Sequence, residues 1–220
     1  MRASVPGGED KAPAAVVSAD RANLRGAQRH TVLIRAAKLI VGAAEYLCIL
    51  RDASESGVSV KLFHELAPSP RMVLELQNEE RHPVELVWHA GDRMGLRFPV
   101  PVDIHRLIEM PAPFNRRPIR MRVTISGVIG IGEDATMCTV LDLSLQGAKI
   151  ACDRAFAIDQ RVKLMASGLP NVHAKVRWRS AQQLGLAFEN TFQLGELAQI
   201  VAAANALGAS EGPIHASRAS

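Results

Sequence analysis

The chain has 220 residues, room for one or two domains at ~100–200 residues each. With 48% hydrophobic and 22% charged residues the composition is globular, which excludes disorder along the whole length. No apolar run reaches the ~18–20 residues of a bilayer span. A formal net charge of +4, carried by 20 Arg and 6 Lys, admits an anionic partner. Arg forks onto phosphates, reads the guanine edge and stacks on flat rings, although a GC-rich genome also raises Arg.

In chain order, residues 1–20 lack a signal-peptide apolar core and read as a disordered tail, the expectation for a soluble cytoplasmic protein. RAAKLIVG, YLCILRDAS, GVSVKLF, RMVLELQN, HPVELVWH and RMGLRFP follow as short runs with partial two-residue alternation. DIHRLIEM (103–110) forms a short helix stopped by Pro111 and Pro113, and PAPFN marks a domain boundary. MRVTISGVI, ATMCTVLDLS, GAKIACD, QRVKLMAS, VHAKVRW and QLGLAFEN repeat the earlier pattern, with VIGIG (128–132) as a hairpin. QLGELAQIVAAANALG (193–208) places Leu194, Leu197, Ile200, Val201 and Leu207 near helical spacing, an amphipathic helix of three to four turns. The last residues, 209–220, are a polar tail.

The two halves are copies. Shifted by 90 residues, CILRDASESG (48–57) lies on CTVLDLSLQG (138–147), and MGLRF (94–98) lies on LGLAF (184–188). Residues 48–98 share 11 identities in 51 positions with 138–188, where chance gives about three (roughly 6%). Trp88 and Trp178 are among them and read as core residues. The expectation is a mainly β protein of two tandem small domains, at 21–110 and 111–208, each with the strand spacing of a sandwich or barrel and the second followed by its helix. The absence of βαβ alternation argues against a parallel nucleotide-binding sheet.

Little in the chain suggests catalysis. Cys48, Cys138 and Cys152 show no CxxC spacing, and the seven histidines show no HxH, HExxH or HxxxH pair, so neither a disulfide framework nor a metal site is expected. GxSxG, P-loop and GxGxxG motifs are missing, and the expectation is a protein that is not an enzyme.

Two features recur in both copies: arginines entering the domain, then a D-x-S-x-x-G element. The second copy has Arg116, Arg117, Arg120 and Arg122, then Asp142, Ser144 and Gly147; the first has Arg25 and Arg29, then Asp52, Ser54 and Gly57. From Arg120 to Asp142 is 22 residues and from Arg29 to Asp52 is 23, enough for a strand, a turn and a returning strand. Counting back 90 from Arg120 gives His30, so a one-residue gap is needed to bring Arg29 into line. Each feature also has a structural reading. Arg21, Arg25 and Arg29 share the spacing of a basic helical stripe, and D-x-S-x-x-G makes a good β-turn in which Asp and Ser bond local backbone.

Arg116 and Arg120 followed by Asp142, Ser144 and Gly147, with the closing G-L-x-F, resemble the PilZ family of bacterial cyclic di-GMP receptors. The resemblance covers about residues 114–192 well and 25–100 less well. It implies six-stranded antiparallel barrels, with ligand gripped between an arginine loop and the barrel surface. It also implies Arg116, Arg117, Arg120, Asp142, Ser144 and Gly147 as ligand residues, and Arg25, Arg29, Asp52, Ser54 and Gly57 as a second site. The physics agrees. Arginines fork onto phosphates and the guanine N7/O6 edge, and a carboxylate accepts from guanine N1–H and N2–H₂. Glycine supplies a positive-φ turn and leaves room for a flat base. An ordering loop would couple ligand to a protein target, such as motility or exopolysaccharide machinery, with the first domain binding weakly or serving as a homodimer or partner surface. One competing reading is a degenerate interaction module that binds no nucleotide. Another is a nucleic-acid-binding barrel, disfavoured by the scarcity of Lys and of aromatic residues.

Overall fold

A computed structural model describes residues 30–67, 69, 71–105 and 118–210. The tail at 1–20, the arginines at 25 and 29, the body of the 103–110 helix, the boundary at PAPFN, Arg116, Arg117 and residues 211–220 lie outside the described residues.

The alternation seen in the sequence becomes twelve antiparallel strands. The first six are β1 (His30–Val41), β2 (Ala44–Ser54), β3 (Gly57–Leu62), β4 (Arg71–Glu75), β5 (Arg81–Ala90) and β6 (Arg93–Arg97). They close into a barrel in the order β1-β2-β3-β6-β5-β4. The second six are β7 (Met121–Ile131), β8 (Asp134–Ser144), β9 (Gly147–Ala151), β10 (Arg161–Ala166), β11 (Val172–Ser180) and β12 (Gln183–Phe188), closed in the equivalent order. Closure leaves no open sheet edge, and residues alternate between core and solvent along strands such as β3 and β7. In β3, Val58, Val60 and Leu62 point inward; in β7, Met121, Val123 and Ile125 do. The β7–β8 hairpin falls where VIGIG was expected to form one, with its turn at Gly132 (φ 58°) and Glu133 and Val128–Ile131 paired to Asp134–Met137.

Bulges account for the uneven spacing of the two copies. Between Thr31 and Arg35, β1 advances four residues while β2 advances two; between Arg122 and Ile125, β7 advances three against two in β8. The extra residue in β1 is the one-residue gap that separates the 23- and 22-residue spacings.

The helix α1 (Leu194–Ser210) starts one residue after the expected 193 and runs two residues past the expected 208. Its first turn is closed by Glu196, whose Oε2 accepts the Gln193 backbone N–H at 2.7 Å, the return half of a capping box. Leu197, Ala198, Ile200 and Val201 bury one face, each larger side chain contributing about 1.5–3 kcal/mol. Leu207, expected on that face, is 62% exposed.

The helix packs against β7 of its own barrel and β2 of the other. Leu47 of β2 belongs to the second barrel's core, and Ala36 and Phe63 pack onto the same cluster. Asn205 Nδ2 donates to the Glu45 carbonyl at 2.8 Å, joining helix to first barrel by a main-chain bond. No helix among the described residues is long and apolar enough to cross a membrane.

Candidate functional site

The return of β8 alongside β7 brings Arg120, just before β7, to Asp142 near the end of β8. Arg120 Nη1 donates to Asp142 Oδ1 at 2.7 Å. Lys149 Nζ, from β9, stands 3.5 Å from the other carboxylate oxygen. The Asp142 side chain is 12% exposed and Arg120 48%, so the carboxylate is seated in the wall and the guanidinium lies across it.

Past Asp142 the chain turns, and the motif's remaining residues build that turn. Ser144 is 1% exposed; its Oγ donates to the Gly147 carbonyl (3.1 Å) and accepts the Gln146 N–H (3.4 Å). The Ser144 hydroxyl, expected to face a ligand, is here occupied by local backbone. Gly147 was expected to supply a positive φ, and it does not. Its requirement is proximity: a Cβ there would lie 2.2 Å from the Leu186 carbonyl oxygen of the neighbouring strand β12.

Cross-strand register extends the site around the barrel. Arg122 on β7 pairs with Asp142, Asp142 with Lys149, Lys149 with Gly185 on β12, and Gly185 with Trp178 on β11. The neighbours of Arg122, Lys149 and Gly185 on their own strands are core residues, so this transverse row faces outward. It presents three cations, Arg120, Arg122 and Lys149, beside the Asp142 carboxylate, and ends in an indole.

That indole corrects an expectation. Trp178 and Trp88 are not core residues; they are 40% and 44% exposed. A bulge between Val176 and Trp178, and another between Leu86 and Trp88, turns each ring outward. Each ring lies flat on a glycine: a Cβ on Gly185 would sit 1.9 Å from Trp178 Nε1, and one on Gly95 would sit 2.0 Å from Trp88 Nε1. One face is thereby covered by backbone while the other remains available for stacking. Lys149 escaped the sequence reading altogether. Its signal is its place two residues after Gly147, which alternation puts on the outer face.

The first barrel repeats the row in a different chemistry. Thr31, Asp52, Ser59, Gly95 and Trp88 occupy the same register. Ser59 replaces Lys149 and donates its hydroxyl to Asp52 Oδ2 at 2.9 Å. Ser54 Oγ donates to the Gly57 carbonyl at 3.2 Å, and a Cβ on Gly57 would meet the Leu96 carbonyl oxygen at 2.4 Å, as in the second turn. The structure thus gathers Arg120, Asp142, Ser144 and Gly147 at one end of the second barrel, and Asp52, Ser54 and Gly57 at the corresponding end of the first. Among the described residues no cluster of His, Cys, Asp or Glu is arranged to hold a metal ion.

A family model described as PilZ domain matches the chain twice, over residues 19–110 and 114–205. A search of curated proteins found no match. Among solved structures the chain is similar to YcgR from Escherichia coli in complex with c-di-GMP, at 12% identity over 80% of this chain and 86% of that one, with a TM-score of 0.35. It is also similar to PlzA from Borreliella burgdorferi in complex with c-di-GMP (12% identity, 76% and 87% covered, TM-score 0.33). A third is the Bacillus subtilis inhibitor of motility MotI/DgrA (12% identity, 83% and 100% covered, TM-score 0.34).

Proposed function

The chain belongs to the PilZ family, matched once by each barrel, and from that premise we propose that its second barrel is a receptor for cyclic di-GMP. The observation that carries this reading is the outward row of Arg120, Arg122, Asp142 and Lys149 ending at Trp178. A dianionic ligand with two guanines needs cations for its phosphates, a carboxylate for the guanine N1–H and N2–H₂ edge, and a flat surface for its rings. Arg120 and Arg122 fork onto phosphate or guanine O6/N7, Lys149 adds a point charge, and Asp142 accepts from the base. Trp178 stacks on its open face. Arg116 and Arg117 stand four and three residues before Arg120 in sequence and belong to the same proposed ligand set. Ser144 and Gly147 serve by holding the turn that seats Asp142.

Asp142 is engaged by Arg120. Ligand entry exchanges that ion pair for contacts to phosphate and guanine and reorders the entry segment, which is how the messenger would be passed to a protein target. The domains are 21–110 and 111–208, and the first barrel, with Ser59 in place of Lys149, serves as a surface for contact and not as a second receptor. Calorimetric titration of the full chain with cyclic di-GMP, with cyclic di-AMP as control, tests the reading. One saturable site type selective for the guanine ligand is expected. A chain that takes up neither, or both alike, rejects it.

A further inference from the structure

The first barrel reaches the second barrel's wall through one buried carboxylate. Glu45, in β2, is 1% exposed. Its Oε2 accepts the backbone N–H of Arg122 at 2.9 Å, and its Oε1 accepts the Arg122 Nε–H at 2.5 Å. On the other side Lys38 Nζ lies 3.4 Å from Glu45 and 2.6 Å from Glu75, which in turn holds Arg81 at 2.7 Å. A carboxylate removed from water is costly unless donors surround it. Here the donors come from both barrels, and two of them come from one residue.

That residue is the neighbour of Asp142 in register. Gripping Arg122 at its main chain and at Nε fixes where the guanidinium begins and which way its plane faces. The two terminal NH₂ groups keep their donors, and the side chain is 65% exposed. Lys38 and Arg122 balance the Glu45 charge locally, so the carboxylate does not stand as a bare repellent beside an anion.

Resting on the receptor reading above, we infer that Glu45 is a positioning residue for the second barrel's ligand site, supplied by the first barrel. It aims Arg122 at the phosphate of the ligand. The first barrel thereby contributes to affinity without touching the messenger. Glutamine at this position offers an NH₂ where the second Arg122 donor must be accepted, so one of the two bonds is lost to a donor facing a donor.

The experiment is titration of the full-length chain with cyclic di-GMP as wild type, Glu45→Gln, Arg122→Ala and the double variant, with thermal unfolding of each. Glu45→Gln and Arg122→Ala should each weaken binding about tenfold, the scale of one misaligned charge-assisted contact. The double variant should bind no more weakly than Arg122→Ala alone, because Glu45 acts only through Arg122. Losses that multiply in the double variant would show an independent structural role and overturn the inference. Wild-type affinity in Glu45→Gln would also overturn it, as would tighter binding, which would make Glu45 a competitor for Arg122. Arg122→Lys guards against a Glu45 variant that does not fold: its single ammonium is consumed by Glu45, so it should bind like Arg122→Ala, and wild-type affinity there refutes the inference. A wild-type chain that takes up no cyclic di-GMP rejects the receptor reading itself.

Discussion

The two barrels hold the same strand order, the same D-x-S-x-x-G turn and the same indole laid on a glycine, yet their outer rows differ in charge. What they share is what the fold demands. The serine bonds its own turn in both copies, and the glycine after it is forced in both by a carbonyl a little over 2 Å from where a Cβ would be. What distinguishes them is which residue stands at each register position: Lys149 against Ser59, and Arg122 against Thr31. A duplicated domain can separate scaffold from chemistry in this way, because both copies must keep the first while either is free to change the second.

The sharpest way to break that contrast is to remove one charge from the outer row of each barrel in turn. Arg120→Ala should cost about 2–4 kcal/mol of cyclic di-GMP binding, since it deletes charge-assisted bonds and strands a desolvated phosphate. Asp52→Asn in the first barrel should leave the isotherm unchanged; equal losses would place ligand on both barrels. Next in size, Gly147→Ala and Gly57→Ala should each destabilise their barrel by about 1–3 kcal/mol in thermal unfolding, because each Cβ would strike a backbone carbonyl. If Gly147→Ala is silent for stability while abolishing binding, that glycine belongs to the chemistry and not to the scaffold.

A smaller effect sharpens the difference further. Lys149→Ser, which gives the second barrel the first barrel's residue, should weaken binding by about 1 kcal/mol at low ionic strength and less as salt is added, since Lys149 is 36% exposed. The least effect is expected where the barrels agree. Burial pushes the Cys48 thiol up to about 12, and burial followed by the proximity of Cys152 pushes Cys138 up to about 11. Both should resist a thiol reagent at pH 8 in the native chain and react on unfolding. Rapid native labelling of one would mark its barrel as the looser.

Much of this was legible in the sequence. Alternation and turn residues place the strands, the 90-residue repeat pairs them, and the 22-residue spacing brings Arg120 to Asp142. The rest depended on facts that no local pattern carries. Whether a glycine serves a positive φ or a close approach is decided by the strand beside it, so Gly147 was assigned the wrong reason. Trp178 looks like core because it is large, apolar and near a strand that is core; only the bulge before it turns it out. Glu45 lies 77 residues from Arg122, and the position 90 residues on is Ala135, so the repeat that exposes everything else conceals it.

Leu47 has a consequence for how the molecule can be cut. It is encoded with the first barrel and buried with the second, beneath the helix that ends the chain. Dividing the gene between the repeats would therefore strip an apolar plug from the core cluster that holds Leu197 and Val201 and wet a surface that the intact chain keeps dry. The genetic seam and the physical seam run through different residues, and an excised C-terminal half would need a substitute hydrophobe over that helix to keep its core covered.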